Sequence, residues 1–458
     1  PPTYPPPPPP TPPPRPLRRQ RQMCIRDRPS GFVDSAGVFA DDIERLAASG
    51  ITNGCGERLY CTSRAVTRGE MATFLARALG ESPTSPLAGP PPDDGCCDEG
   101  RVGVLAHAQS WMDPYTSGGH WSFIRQHYDS MIVYEPYWDS RLDNYDDVFA
   151  YRDLYGIAVG SSRANDNPEW LLRDGAGNHV YIPWGCGGGS CPQYAADLGH
   201  AGFRAHLVDH VRSLVARGYG GIMLDDVNMA WRFGTSSGAT AQPIDPRTGQ
   251  VMQLADWQRY VAEVLELLRA EFPDVRIMTN VIWYADSPGF TNGSIDRAIA
   301  AVDFLMLERG ATDRGLTGGT GTYSLRRFLD YVDRAHELGT DVLFLDQGDT
   351  TVRDQMYNLA AALLVSEGND FAGTERRGMI APTSFWAGFD TDLGDALGDR
   401  RVDGTVLRRS FTDGLVLVNE PGAATVTVPL GEPMLTVDGD VVTSVTLHGR
   451  EASILVRT

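Results

Sequence analysis

From about Arg101 onward, short apolar runs alternate with longer stretches whose apolar positions recur every three to four residues. The first pattern suits strands and the second amphipathic helices. Val102–Ala108, Ser130–Tyr134, Gly156–Gly160, Gly221–Asp225, Arg276–Asn280, Val302–Glu308 and Val342–Asp346 read as strands, with a further one near Phe371 or at Met379–Ala381. Between them, Phe203, Leu207, Val211 and Leu214 share one helical face. So do Leu254, Trp257, Val261, Val264, Leu265 and Leu268, and again Leu325, Phe328, Leu329 and Val332. Repeated βα units predict a parallel sheet, and a span of about 300 residues suits a (β/α)8 TIM barrel with long loops. A doubly wound sheet is the weaker alternative: no Gly-rich loop follows the first strand, and Gly187, Gly188 and Gly189 sit between two cysteines.

The pattern changes at both ends of this barrel, which is expected over residues 101–403. After about residue 404 the helical period disappears. Val406–Phe411, Gly414–Asn419, Ala424–Val428, Val441–Leu447 and Ala452–Val456 predict a small antiparallel β-sandwich over 404–458. Residues 81–100 are rich in Pro, Gly and acid and read as a linker. Residues 29–80 form a helical module. One helix runs from Asp41 to Ser49 before Gly50, and a second, Met71 to Leu79, follows the capping box of Thr67 and Glu70. The Pro-rich start predicts disorder. Met23, Cys24, Ile25, Arg26, Asp27 and Arg28 resemble a translated sequencing-library adapter, so residues 1–28 are expected to be an assembly artefact and bear no functional weight.

At 458 residues the chain is long enough for several domains. Its formal net charge of -19, from 40 basic and 59 acidic residues, argues against nucleic acid as a partner. No apolar run approaches the ~20 residues of a transmembrane helix. Seven cysteines become six without Cys24. Cys55 with Cys61 and Cys186 with Cys191 are close enough to close small disulfide loops, while the partners of Cys96 and Cys97 stay open. Without paired CxxC spacing, disulfides of an exported, extracellular or cell-surface protein are the favoured reading over zinc.

In a TIM barrel, the polar residue ending each strand is where chemistry is expected. Here Asp225 and Asp226 end one strand and Glu308 another. Glu135, Tyr137 and Trp138 follow the second strand, and Asp346 and Gln347 the seventh. Hydrolysis of a glycosidic bond needs two carboxyl groups on opposite sides of that bond. Alternation along a strand puts Asp225 on the face of Met223, inside the mouth, with Asp226 on the other face. Trp111, Trp184, Trp231, Trp283, Tyr284 and Trp386 add aromatic surface for the apolar faces of sugar rings. His107, Gln109, Asn228 and Asn280, with Asp226, Glu135 and Asp346, are candidate partners for sugar hydroxyls. No spaced His/acid cluster argues for a metal, and no cofactor is expected. Gln242 to Gly249, with one acid, reads as turn chemistry, not as a calcium loop.

Two resemblances extend this reading. Residues 32–80, with Gly50 to Gly56, Cys61 and Val66 to Glu70, resemble one actinobacterial S-layer homology repeat. That implies contact with a cell-wall polymer through Thr67, Arg68 and Glu70. Residues 101–400, with Asp129 to Ile132, Gly221 to Asn228, Met278 to Asn280 and Phe304 to Glu308, resemble hypothetical glycoside hydrolase family fifteen of the glycosidase-like series. They also resemble the wider α-galactosidase and α-amylase superfamilies. The resemblance implies a carbohydrate substrate, Asp225 as nucleophile and Glu308 as general acid/base of a retaining hydrolase. The competing expectations are a non-catalytic carbohydrate-binding barrel, and a lyase or isomerase using a buried Lys, His or metal.

Overall fold

The computed structural model describes residue 52 and residues 99–108, 120–187, 189–230, 232–280, 293–346, 351–374 and 385–458. The chain divides into two compact units, Pro1–Cys97 and Asp98–Thr458. Apart from Thr52, the helical module, with Thr67, Arg68, Glu70, Cys55 and Cys61, lies outside the described residues, as do Cys96, Cys97 and Met379–Ala381.

In the second unit, eight strands close into a parallel barrel: β1 Gly103–Ala108, β2 Ser130–Val133, β3 Val148–Asp153, β4 Gly221–Asp225, β5 Arg276–Asn280, β6 Phe304–Arg309, β7 Asp341–Asp346 and β8 Phe371–Thr374. Each pairs with its neighbours in chain order, and β8 closes on β1 through Gly103↔Phe371 to Ala106↔Thr374. Alternate residues fill the interior: Leu105, Ile132, Phe149, Met223, Met278, Phe304, Met306, Leu343, Leu345 and Phe371 pack together. The residues between them face the helices. The main ones are α1 Trp121–His127, α2 Ala201–Arg217, α3 Leu254–Glu271, α4 Gly293–Ala300, α5 Leu325–Glu337 and α6 Val352–Leu363. Local chemistry sets their ends. Gly218 at φ 103° terminates α2 in a left-handed cap, Ser324 caps α5, and Thr351 with Asp354 forms a capping box on α6.

The third strand differs from expectation. It is Val148–Asp153, in register with β2 at Ile132↔Phe149 and with β4 at Tyr151↔Met223. Gly156–Ala158 instead pairs antiparallel with Gln193–Ala195, outside the barrel. The physical reason lies in Arg152. It sits on the outward face, 9% exposed, with its guanidinium 3.3 Å from His206 Nε2 of α2, and so interrupts the apolar run of a true barrel strand.

The C-terminal region is also simpler than expected. β9 Arg401–Asp403, β10 Val406–Ser410, β11 Gly414–Asn419, β12 Val426–Thr436, β13 Val441–Leu447 and β14 Glu451–Arg457 form one six-stranded antiparallel sheet, ordered β9-β10-β11-β14-β12-β13. Among the described residues there is no second facing sheet of a sandwich. The long β12 instead breaks register between Pro429 and Met434 while serving both β13 and β14. Such an irregularity bends a strand. Val406, Leu415, Leu417 and Leu455 then share a core with Leu430, Met434 and Leu447. The opposite face, with Leu407, Val416, Val418 and Ile454, joins the main core on the α6 side. Arg450 ties this sheet to the segment after β6, donating to the carbonyls of Asp313 at 2.7 Å and Leu316 at 2.8 Å.

Candidate active site

Strand alternation brings the site together. One step beyond the interior layer, the same inward face carries His107 on β1, Tyr134 after β2, Tyr151 and Asp153 on β3, Asp225 on β4, Asn280 on β5 and Glu308 on β6. All are at or just beyond the carboxyl ends of their strands. His107 stacks beside Tyr134 at 6.2 Å, and Tyr134 lies 4.7 Å from Tyr151.

Asp225 is held on both oxygens. Tyr151 donates its phenol proton to Oδ2 at 2.5 Å, Asn280 Nδ2 donates to Oδ1 at 2.7 Å, and the Asp226 amide donates to Oδ1 at 2.8 Å. The Asn280 nitrogen is also 3.4 Å from Glu308 Oε2. A shared donor limits how far apart its acceptors can be, so these two carboxylate oxygens are no more than about 6 Å apart. That lies within reach of the ~5–5.5 Å spacing of retaining glycosidases.

A second pair of carboxyl groups stands beside the first. Asp226 has left strand geometry with φ 57°, in the left-handed region that non-glycine residues seldom occupy. Its carboxyl is hydrogen-bonded to Asp153, which is itself bonded to Gln193 Nε2. Burial, followed by the charge of Asp225, pushes Asp226 up to about 8, and burial likewise raises Asp153. At neutral pH, Asp226 is therefore a carboxylic acid and a hydrogen-bond donor. Trp184, 45% exposed, bonds to the same carboxyl. Burial lowers the pKa of His107 against the opposing pull of Asp225, leaving a neutral imidazole. Its buried Nε2 has no hydrogen-bond partner among the described residues, and neither has Asn280 Oδ1.

Other expected residues lie elsewhere. Glu135 faces away from the mouth and pairs with Arg217 of α2 at 2.6 Å. Tyr137 is covered by the Arg141 guanidinium, 4.2 Å above its ring. Trp138 is completely buried, its indole donating to the Tyr145 carbonyl, so it offers no face to a sugar. Asn228, also buried, supports the turn after β4: its carbonyl accepts from Trp257 at 2.8 Å. Asp346 is buried on the outward face of β7, since Leu343 and Leu345 point inward. Trp386 packs on Phe389 at 5.2 Å. Gln109, Trp231, Trp283 and Gln347, with Trp111 and Tyr284, lie outside the described residues. Tyr134, Tyr151, Asp153 and Gln193 are site residues that the sequence reading missed, and two of them belong to the misplaced third strand. The Cys186–Cys191 disulfide is formed and closes the loop next to Trp184.

Comparison with known proteins adds a family. The family described as hypothetical glycosyl hydrolase family 15 matches residues 130–415. Among solved structures, the chain is similar to the isomalto-dextranase of Arthrobacter globiformis T6 complexed with panose, at 12% identity over 79% of this chain and 74% of that chain, TM-score 0.46. It is similar to trehalose-6-phosphate hydrolase of Bacillus licheniformis at 10% identity, covering 78% and 99%, TM-score 0.49. It is also similar to the glycoside hydrolase domain of PelA from Pseudomonas aeruginosa at 15% identity, covering 61% and 96%, TM-score 0.35. No curated protein matches.

Proposed function

We propose a mechanism from the premise that this chain belongs to hypothetical glycosyl hydrolase family 15 and is a glycoside hydrolase. Asp225 attacks the anomeric carbon while Glu308 protonates the departing glycosidic oxygen. The bond to that oxygen breaks as the bond to Asp225 forms. Glu308, now a carboxylate, then takes a proton from water, whose oxygen displaces Asp225 and restores both groups. The observation that carries this reading is the Asn280 amide shared by the two carboxylates, because its two contacts hold them no more than about 6 Å apart, a limit compatible with the spacing of a double displacement. Net retention of anomeric configuration follows.

The neighbouring groups support that division of roles. Tyr151 and Asn280 orient Asp225 so that little motion is needed at the moment of attack. A neutral Asp226 adds no second negative charge next to the nucleophile. With Asp153 and Gln193 it offers both donors and acceptors to sugar hydroxyls, and the exposed Trp184 offers a stacking face. The neutral His107, whose Nε2 has no partner among the described residues, is a further hydroxyl partner.

The same proposal includes an extracellular or cell-surface setting, with the S-layer homology repeat contacting cell-wall polymer. The Cys186–Cys191 bond supports it, since disulfides persist in oxidising compartments. The test is a screen of polysaccharides beginning with bacterial wall glycans, with the first product's anomer followed by NMR. Release of an oligosaccharide whose anomer is retained supports the mechanism. Inverted product refutes the double displacement, and binding without cleavage of any glycan favours a carbohydrate-binding barrel.

A further inference from the structure

The opposite end of the barrel holds a cluster that the hydrolytic site does not use. Asp341 is the first residue of β7, Asp370 immediately precedes β8, and His336 lies in the last turn of α5. Strand direction therefore puts all three at the end remote from Asp225 and Glu308. One possible ligand atom from each lies within 4.8 Å of the other two. His336 and Asp370 are buried, with side chains 1% and 0% exposed.

Their hydrogen bonds leave specific atoms bare. His336 Nε2 meets Asp370 Oδ1 at 2.9 Å, and the Val342 amide donates to that same oxygen at 2.8 Å. Among the described residues, the other carboxylate oxygen, Asp370 Oδ2, is buried without a partner, and so is His336 Nδ1. A buried ion pair between Nε2 and Oδ1 accounts for the first two atoms only. Buried polar groups left without partners are costly and rare in native proteins. Asp341 adds a third arm, and Glu367, 62% exposed, stands with Oε1 3.9 Å from His336 Nδ1.

We propose that His336, Asp341 and Asp370 form a structural site for a borderline divalent cation of the Zn2+ class, clamping α5 to the starts of β7 and β8. A set of one imidazole and two carboxylates suits such an ion better than Ca2+ or Mg2+, which favour oxygen ligands alone. Glu367 is positioned to complete the set, or to orient the imidazole through its second nitrogen. The site does not depend on the hydrolytic reading, because it neither touches the mouth nor supplies a reacting group.

The test uses the full chain, stripped with a chelator and titrated with Zn2+ by calorimetry and thermal unfolding. Wild type is expected to bind with a rise in Tm, and Asp341→Asn, at the least buried of the three residues, to bind at least about 10-fold more weakly, since losing a ligand costs no less than losing an outer-shell partner, with most of that rise lost. Absence of Zn2+ binding to wild type, or undiminished binding and stabilisation in a folded Asp341→Asn, overturns the proposal. Should that variant not fold, Co2+-loaded wild type decides by X-ray absorption: a shell with one imidazole and oxygen ligands is expected, and a shell without imidazole overturns the site.

Discussion

The phenol of Tyr151 and the carboxylate of Asp225 meet across adjacent barrel strands, with the hydroxyl 2.5 Å from Oδ2. Their registers make this meeting a property of the fold. Asp153 is opposite Asp225 in the β3–β4 ladder, and Tyr151, one inward step earlier, points into the same mouth. A hydrogen bond to a charged group is worth about 1.5–3 kcal/mol, and 1.36 kcal/mol is a tenfold change in rate. Tyr151→Phe is accordingly predicted to lower kcat by roughly 10- to 100-fold with a smaller change in KM. Steady-state kinetics on the glycan found in the screen checks this.

On the proposed mechanism, Glu308→Gln removes the proton needed by the leaving oxygen and the base needed by water. General acid–base catalysis contributes about 10²–10⁴-fold, and a loss of that order is expected on a natural glycan. An aryl glycoside with an acidic phenol needs no protonation to depart, so its glycosylation step should be nearly unaffected. A pre-steady-state burst of phenol from the variant is the expected observation. An equal loss in the pre-steady-state glycosylation rate of both substrates would remove Glu308 from the acid role.

Asp226 links the site to pH. Its folded pKa is about 8 against an ordinary 3.8, so across that interval the unfolded chain releases a proton that the folded chain keeps. Folding stability from this group therefore falls as pH rises from about 4 to about 8, then levels off. Asp226→Asn keeps a neutral amide there and eliminates that slope. The Tm of the variant relative to wild type should increase over this pH range, as thermal unfolding in matched buffers would reveal. A constant difference would mean that Asp226 is already ionised in the fold.

Arg450 holds the segment that follows Glu308. Its guanidinium bonds to the carbonyls of Thr312, Asp313 and Leu316, while Glu420 of the same sheet pairs with Arg326 at the start of α5. Arg450→Ala is predicted to cost about 1.5–3 kcal/mol in stability by urea unfolding. Activity should fall more than that of a surface control, because the segment that follows the strand bearing Glu308 loses its anchor.

Much of this arrangement was legible from residue pattern alone, and the failures have identifiable causes. β4 and β6 announce themselves because Ile222, Met223 and Leu224, or Leu305, Met306 and Leu307, are apolar on both faces before an acid ends the run. β3 does not, because its inward face carries Tyr151 and Asp153 and its outward face the buried Arg152. The chemistry of the mouth thus concealed the strand that supplies it. Trp138 was misread for a different reason: a tryptophan after a strand looks the same in sequence whether it anchors a loop or faces ligand, and only burial separates the two. His336, Asp341 and Asp370 have no telling spacing, since it is the parallel pairing of β7 with β8 that brings them together.

The most direct test of the paired-carboxylate account is the identity of the carboxylate that becomes glycosylated. Mechanism-based epoxides of varied sugar configuration, incubated with the enzyme and followed by peptide mapping, would trap it. A single covalent label on Asp225, absent from Asp225→Asn, is the predicted result. A label on Glu308, Asp153 or Asp226 instead would contradict it.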